Sequence, residues 1–267
     1  MQMIKELHEQ IVVNKRKRYV HSEMSLNKGN ALLRDLRIRV EPVDTVPFTT
    51  RDPTPVRAFE WESARDEHGQ TIAVADEQQR ERYLAYVEDN IGDVLAEKKL
   101  CVVGVEKDKN ILNATVPGHD IHLVGRADIL VLSALAKKFP HYVKYLHGVK
   151  MLIEVKSAVN DSSDFQALSE LIALEFLVDE HVMALLTNLT DHWRFFWVSE
   201  KRNNHAIIQT MATSEPGEAF EVIKTLLAQS PTADGEISLP ICERPVKRRK
   251  LAEVLPDVSE DRDGSGS

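Results

Sequence analysis

The sequence predicts an α/β fold in which helices pack on a mixed sheet. Two observations lead there. Between residues 72 and 232, segments with apolar residues at helical spacing alternate with short β-branched or aromatic runs. These elements follow the order helix, three strands, helix, two strands, helix. A helix lying between strands is a crossover, so its flanking strands can run parallel while the first three strands form a meander.

The first helix is expected over residues 76–99, with Asp76 as N-cap and Leu84, Val87, Ile91, Val94 and Leu95 along one stripe. Strands are expected at residues 100–106, 122–132 and 149–156. The second helix, residues 164–178, follows the turn-prone Asn160-Asp-Ser-Ser and is capped by Ser163 or Asp164. Residues 182–188 and 193–198 read as two more strands around the turn Leu189-Thr-Asp-His, and residues 215–228 as a closing helix. Trp193, Phe195, Phe196 and Trp197 are expected in the core rather than as a base-stacking surface, because aromatic residues favour buried strands.

On either side the pattern weakens. Residues 1–71 read as a helical and irregular appendage, with a helix over residues 4–13, the basic run Lys15-Arg16-Lys17-Arg18, and helix-breaking Pro42, Pro47, Pro53 and Pro55. Residues 233–267 read as a flexible tail: Asp234-Gly235, Pro240, Pro245, a second basic run and an acidic Ser/Asp/Glu/Gly end whose closing Gly-Ser-Gly-Ser looks like a linker. There is no internal repeat.

Of the 267 residues, 43% are apolar and 28% charged, enough for an ordinary core. No run approaches the roughly 18 apolar residues of a membrane span. The first ten residues lack an apolar stretch, so no signal peptide is expected. Cys101 and Cys242 lie far apart and have no Cys or His at zinc-ligand spacing, which suits free thiols in a reducing compartment. A net charge of −8 disfavours a broad nucleic-acid-coating surface while leaving room for local basic clusters.

Candidate chemistry concentrates on the second and third strands. In Met151-Leu-Ile-Glu-Val-Lys, period-two alternation puts Glu154 and Lys156 on one face and Ile153 and Val155 on the other. The preceding strand carries Gly125-Arg-Ala-Asp128. If the two strands are neighbours, Asp128 and Glu154 converge on one Mg²⁺ with Lys156 beside it. Phosphodiester hydrolysis needs this combination of carboxylates, a metal and a cation for the transition state. A Glu-X-Lys alone is more often the polar face of an ordinary strand, so the joint pattern carries the weight.

The segments Val102-Val-Gly104, Val124-Gly-Arg-Ala-Asp128, Leu152-Ile-Glu-Val-Lys156, Gln166-Ala-Leu168 and Leu186-Thr-Asn-Leu-Thr-Asp-His-Trp193 together resemble the PD-(D/E)xK nuclease superfamily. Within it they resemble the nuclease-like C-terminal domain of Crinkler effectors of oomycetes and some fungi. The resemblance covers residues of about 76 to 230. It implies a restriction-endonuclease-like core and a Mg²⁺- or Mn²⁺-dependent endodeoxyribonuclease. Asp128 and Glu154 would be metal ligands and Lys156 the catalytic cation. It also implies secretion by a pathogen and action on DNA in a host nucleus, where the activity promotes cell death. A silent module binding host DNA or a host nuclear protein is the alternative; a membrane partner is not expected.

The family often adds an acidic residue from the first helix. Glu88 lies beside Leu84, Ile91 and Leu95 on the helical wheel and is the candidate third metal ligand; a Glu at the rim of the stripe explains it equally well. Gln166 opens the second helix where the family often has a glutamine, either orienting a phosphate, a water or the lysine, or standing solvated. Glu175, on that helix's apolar stripe, reads as a structural ion-pair partner, and Arg126 shares a face with Asp128. Residues 133–148 interleave Lys137, Lys138, His141, Lys144 and His147 with Phe139, Tyr142 and Tyr145; an amphipathic helix packed on the sheet is favoured over a phosphate-contacting insert. Lys247, Arg248, Arg249 and Lys250 resemble a signal for the host nuclear import machinery, given their placement after Pro245 in a segment expected to be unfolded.

Overall fold

The computed structural model describes residues 16–47, 53–65, 71–229 and 235–256. The helix expected over residues 4–13 lies outside them. The centre is a seven-stranded mixed sheet in the order β2-β12-β11-β10-β9-β8-β5. Its strands are β2 (Ile38–Pro42), β5 (Leu100–Gly104), β8 (Ile129–Ser133), β9 (Met151–Val155), β10 (Met183–Thr187), β11 (Trp193–Arg202) and β12 (His205–Thr213). Strands β5, β8 and β9 form the expected antiparallel meander. Strand β10 then returns parallel to β9 after a helical crossover.

Helices cover both faces. Helices α1 (Leu26–Asp35), α4 (Asp161–Leu177) and the short α6 (Leu251–Val254) lie on one side, and α2 (Arg80–Lys98) and α5 (Pro216–Ala228) on the other. A single helical turn, α3 (Leu135–Lys138), belongs to the β8–β9 connection. Alternation along the strands feeds the two layers. Leu130, Leu132 and Leu152 point to the α4 side, and Ile129, Val131, Met151 and Ile153 to the α2 side. On β11 the expected aromatic core is present: Trp193, Phe195, Phe196 and Trp197 are all at most 1% exposed. Full burial of each such ring stabilises by about 2–3 kcal/mol.

Four expectations change. First, residues 122–132 are not one strand. Strand β7 (Ile121–Val124) belongs to a small sheet with β1 (Lys17–Val20) and β6 (Ala114–Thr115), and the chain breaks at Gly125 before entering β8. Gly125 has φ of +144°, and a Cβ there would stand 2.8 Å from His21 Cδ2, so both backbone and space call for glycine. Second, β12 is a full hairpin partner of β11; its Ile207, Ile208 and Met211 are apolar, but the exposed turn at Asn203-Asn204 is what joins it.

Third, described residues of the 1–71 segment are not an appendage. Strand β1 pairs in parallel with β7, and β2 is the edge strand of the main sheet. Fourth, the flexible tail from residue 233 does not extend over 235–256. There, β13 (Glu236–Ile237) pairs with β14 (Val246–Lys247) and α6 packs against α4. The basic cluster is part of this packing. Arg248 is 4% exposed and donates to the His181 carbonyl, while Lys250 Nζ pairs with Glu175 Oε2 at 2.9 Å and donates to the Val178 and Glu180 carbonyls. Lys247, Arg248, Arg249 and Lys250 therefore do not form the extended, solvated run that an import signal needs. Glu175 is the structural ion-pair partner expected of it.

Candidate active site

Strand register brings the predicted centre together. Ile129 pairs with Ile153 across antiparallel β8 and β9, so the next position outward sets Asp128 beside Glu154, both on the α4 side. Asp128 Oδ2 accepts from the Val155 N–H at 3.1 Å, which ties the start of β8 to the end of β9. Lys156 follows β9 directly, and its Nζ lies 2.6 Å from Glu154 Oε1. From above, Gln166 in the second turn of α4 donates Nε2–H to Glu154 Oε1 at 2.5 Å and to Glu170 Oε1 at 2.9 Å. Helix α4 begins before Gln166 because the Asn160 side chain accepts from the Ser162 and Ser163 N–H groups, closing a capping box. The cap is thus Asn160, not Ser163 or Asp164.

Asp128, Glu154, Lys156 and Gln166 line one cleft of about 600 Å³. Arg18, Arg80, Lys109 and Arg126 add positive charge around it, and Asp76 and Glu77 negative charge. Asp76 is not the expected helix cap. It precedes α2 in a short 3₁₀ turn, and its Oδ2 accepts the Ser157 N–H at 3.0 Å, bracing the loop that carries Lys156. Arg80 is partly neutralised by Glu106, 3.2 Å away.

Glu88 does not join this group. It is more than a third exposed, and its carboxylate pairs with Lys137 rather than lining the cleft. The rim position on the α2 stripe is the one it takes. In its place stands Glu170, which sequence reasoning did not single out. It is fully buried and four residues beyond Gln166 on the same helical face. A glutamate inside the otherwise small and apolar run Ala167-Leu-Ser-Glu-Leu-Ile-Ala-Leu174 was the available signal.

Charge in the site is unbalanced. Glu154 is 1% exposed and Glu170 0%. Burial, and then the neighbouring Asp128, hold the Glu154 carboxyl far above the usual carboxylate range. Burial and then Glu154 do the same to Glu170. Burial also raises Asp128, although the Lys156 ammonium and the Val155 N–H partly counter it. Burial opposes the charge of Lys156, but Glu154 and Asp128 outweigh it and hold the ammonium firmly protonated. Three carboxylates against one ammonium leave an excess of two negative charges when all are ionised. Oε2 of Glu154 and Oε2 of Glu170 are buried without a hydrogen-bond partner among the described residues. Such a cluster takes up protons or a cation.

Among the described residues no group of three or more His, Cys, Asp or Glu is arranged to hold a metal ion. Mg²⁺ does not require such a cage, since it commonly binds through one or two carboxylates and keeps water or phosphate in the remaining positions. Asp128 and Glu154, with the unpartnered Glu154 Oε2 and the excess charge of the cluster, fit that mode.

Fold and site thus define a mixed α/β protein with a carboxylate–lysine cleft at the end of two central strands. No family model matches the chain, and no solved structure matches it. Curated proteins do. The chain is 60% identical over 257 residues to Crinkler effector protein 4 of Phytophthora capsici, a match covering 96% of this chain and 58% of that protein. It is 57% identical over 263 residues to Crinkler effector protein 2 of Phytophthora infestans, covering 98% and 56%. It is 53% identical over 271 residues to Crinkler effector protein 63 of Phytophthora sojae, covering 100% and 60%. The chain therefore spans a little over half the length of the curated relatives it matches.

Proposed function

We propose that this chain is the effector portion of a Crinkler-type protein, and that its cleft is a PD-(D/E)xK-like nuclease site cleaving DNA with Mg²⁺ or Mn²⁺. The observation that carries the reading is the convergence of Asp128, Glu154 and Lys156 from adjoining strands on one cleft, with a buried Glu154 oxygen left unpartnered. Asp128 and Glu154 would hold the metal, which when bound neutralises phosphate charge and lowers the pKa of a water. The Lys156 ammonium stabilises negative charge developing on the phosphate. Gln166, whose amide N–H groups are engaged by Glu154 and Glu170, keeps its carbonyl oxygen as an acceptor for orienting water or the lysine. Arg18, Lys109 and Arg126 at the rim would grip the flanking phosphates.

By this reading the protein is secreted, acts on DNA in the host nucleus and promotes cell death. Entry into the nucleus would not depend on Lys247 to Lys250 as an accessible signal, because Arg248 and Lys250 are engaged in the fold. Supercoiled plasmid incubated with Mg²⁺, Mn²⁺ or EDTA tests the activity. Metal-dependent nicking lost in Asp128→Ala and Lys156→Ala supports it, and nicking that persists in both variants removes the site.

One observation favours a second reading. Glu154 Oε1 is already occupied by Lys156 and Gln166, an arrangement that also closes a site which no longer cuts. The protein would then bind host DNA or a host nuclear protein without cleaving it. Metal-independent retardation of DNA without nicking would favour this reading.

A further inference from the structure

The connection between β8 and β9, expected as an amphipathic helix packed on the sheet, is instead the turn α3 and a 3₁₀ turn over Pro140–Tyr145, and none of its aromatic residues is buried. Ala136 and Leu146 are buried and anchor the segment, and Gly148, with φ of +68°, turns it back into β9. Of the residues between them, Val143 packs against the core and the rest face outward. Phe139, Tyr142 and Tyr145 are 40%, 40% and 64% exposed, and they are the exposed aromatic side chains among the described residues. Phe139 and Tyr142 have ring centroids 5.7 Å apart, and Tyr142 and Tyr145 6.3 Å, so the rings form a continuous row. Lys138 Nζ stands 5.5 Å from the Phe139 centroid and Lys144 Nζ 4.9 Å from that of Tyr145.

The charge of this row is unlike that of the rest of the molecule. The protein carries a net charge of −8, yet residues 129–153 contain no Asp or Glu. Lys137 is paired with Glu88, but Lys138 and Lys144 have no carboxylate partner among the described residues. Flat rings with the unpaired ammonium groups of Lys138 and Lys144 beside them suit a ligand that is both aromatic and polyanionic. Successive unpaired bases stack on such rings, and each phosphate between them meets an ammonium. An anionic membrane is met by a continuous amphipathic helix with an apolar face, whereas this connection is one helical turn and a 3₁₀ turn with Leu135 as its one exposed aliphatic residue.

We infer that the 135–145 connection is a binding surface for single-stranded nucleic acid, with Phe139, Tyr142 and Tyr145 stacking bases and Lys138 and Lys144 contacting phosphates. It is separate from the carboxylate cleft. Asp128 precedes β8 and Lys156 follows β9, whereas the connection joins the other ends of these five-residue strands. Five residues of strand correspond to about 17 Å. The inference does not rest on the cleft being a nuclease.

Fluorescence anisotropy with a labelled oligothymidylate, in EDTA so that nothing is cleaved, tests it. The combined Tyr142→Ala, Tyr145→Ala variant is expected to bind about tenfold or more weakly, given the usual worth of base stacking. Lys138→Gln with Lys144→Gln should flatten the salt dependence by about 1.4 in log–log slope, the share of two single-strand phosphates. Asp128→Asn, in the cleft, should leave this binding intact. Because all four altered residues are exposed, circular dichroism should be unchanged in both double variants. Photocrosslinking of a 5-bromodeoxyuridine oligonucleotide should map to Tyr142 or Tyr145. Equal binding by wild type and the tyrosine variant overturns the inference. So does binding to phosphatidylserine vesicles or acidic peptides but not to the oligonucleotide, or crosslinks confined to the cleft.

Discussion

Helix α4 carries two buried glutamates five residues apart, and they are treated in opposite ways. Glu175 Oε2 pairs with Lys250 and accepts the Leu251 N–H at 3.1 Å, while Oε1 accepts the Val182 N–H at 3.3 Å. Both oxygens are satisfied, and the effect is to clamp the C-terminal segment to the sheet. Glu170 receives one bond from Gln166, its Oε2 has no partner among the described residues, and the charges that act on it most strongly, Glu154 and then Asp128, share its sign and outweigh Lys156. One helix thus buries a structural carboxylate and an under-satisfied one. The difference teaches where to look for chemistry: a buried acid whose bonds are complete holds the fold together, and one whose bonds are incomplete is waiting for a proton or a ligand.

The largest effect that could break this contrast is on stability. Glu175→Ala leaves the backbone N–H groups of Val182 and Leu251 without their acceptor and the largely buried Lys250 ammonium without its counter-charge, and should cost about 3–5 kcal/mol in urea unfolding. A cost below about 1 kcal/mol would place Glu175 among ordinary surface acids.

The next effect is pH-dependent and involves a third buried polar group against α4. His21 Nδ1 lies 2.8 Å from Ser169 Oγ, and burial pulls the imidazole down to about 4, with the Leu112 carbonyl acting weakly the other way. Its contribution to stability is present above its unfolded pKa of about 6.5. It is lost as pH falls towards 4, by about 3 kcal/mol in all. The carboxylate cluster has the opposite sign. Glu154 and Glu170 are raised, so their protonated forms favour the fold, and stability falls as pH rises above the usual carboxylate range. Unfolding curves across pH should therefore show a maximum, flanked by an acid limb due to His21 and an alkaline limb due to the cluster. Glu170→Gln should remove much of the alkaline limb and raise stability at pH 8 by about 1–2 kcal/mol, where Glu175→Gln lowers it. Millimolar Mg²⁺ should shift the same limb if Asp128 and Glu154 bind it.

The smallest expected effect concerns Glu88. Its pairing with Lys137 is exposed, so Glu88→Ala should change stability by about 0.5 kcal/mol or less. Plasmid nicking, if present, should be unaffected; a loss matching that of Asp128→Ala would return Glu88 to the site.

Much of the fold was legible because periodicity is local. The meander, the crossover helix and the aromatic strand β11 each announce themselves within about ten residues. The break at Gly125 was not legible, since Val124 and Ile129 are both good strand residues and the break depends on the positive φ of Gly125 and the close approach of His21. The C-terminal basic cluster misled for a related reason. A run of cations is solvated unless a distant carboxylate and carbonyls receive it, and Glu175, Val178 and His181 are 60 or more residues away in sequence.

The sequence by itself determined that Glu154 and Lys156 share a face, because side-chain alternation on a strand has a period of two; that Asp128 joins them depended on the pairing of β8 with β9. The sequence also determined the helix that delivers Gln166, through the capping residues before it. Only the tertiary structure decided that Glu170 rather than Glu88 stands behind this face. The choice turns on which helix lies over the α4 side of the sheet, and helix packing depends on the whole core rather than on any one segment's pattern.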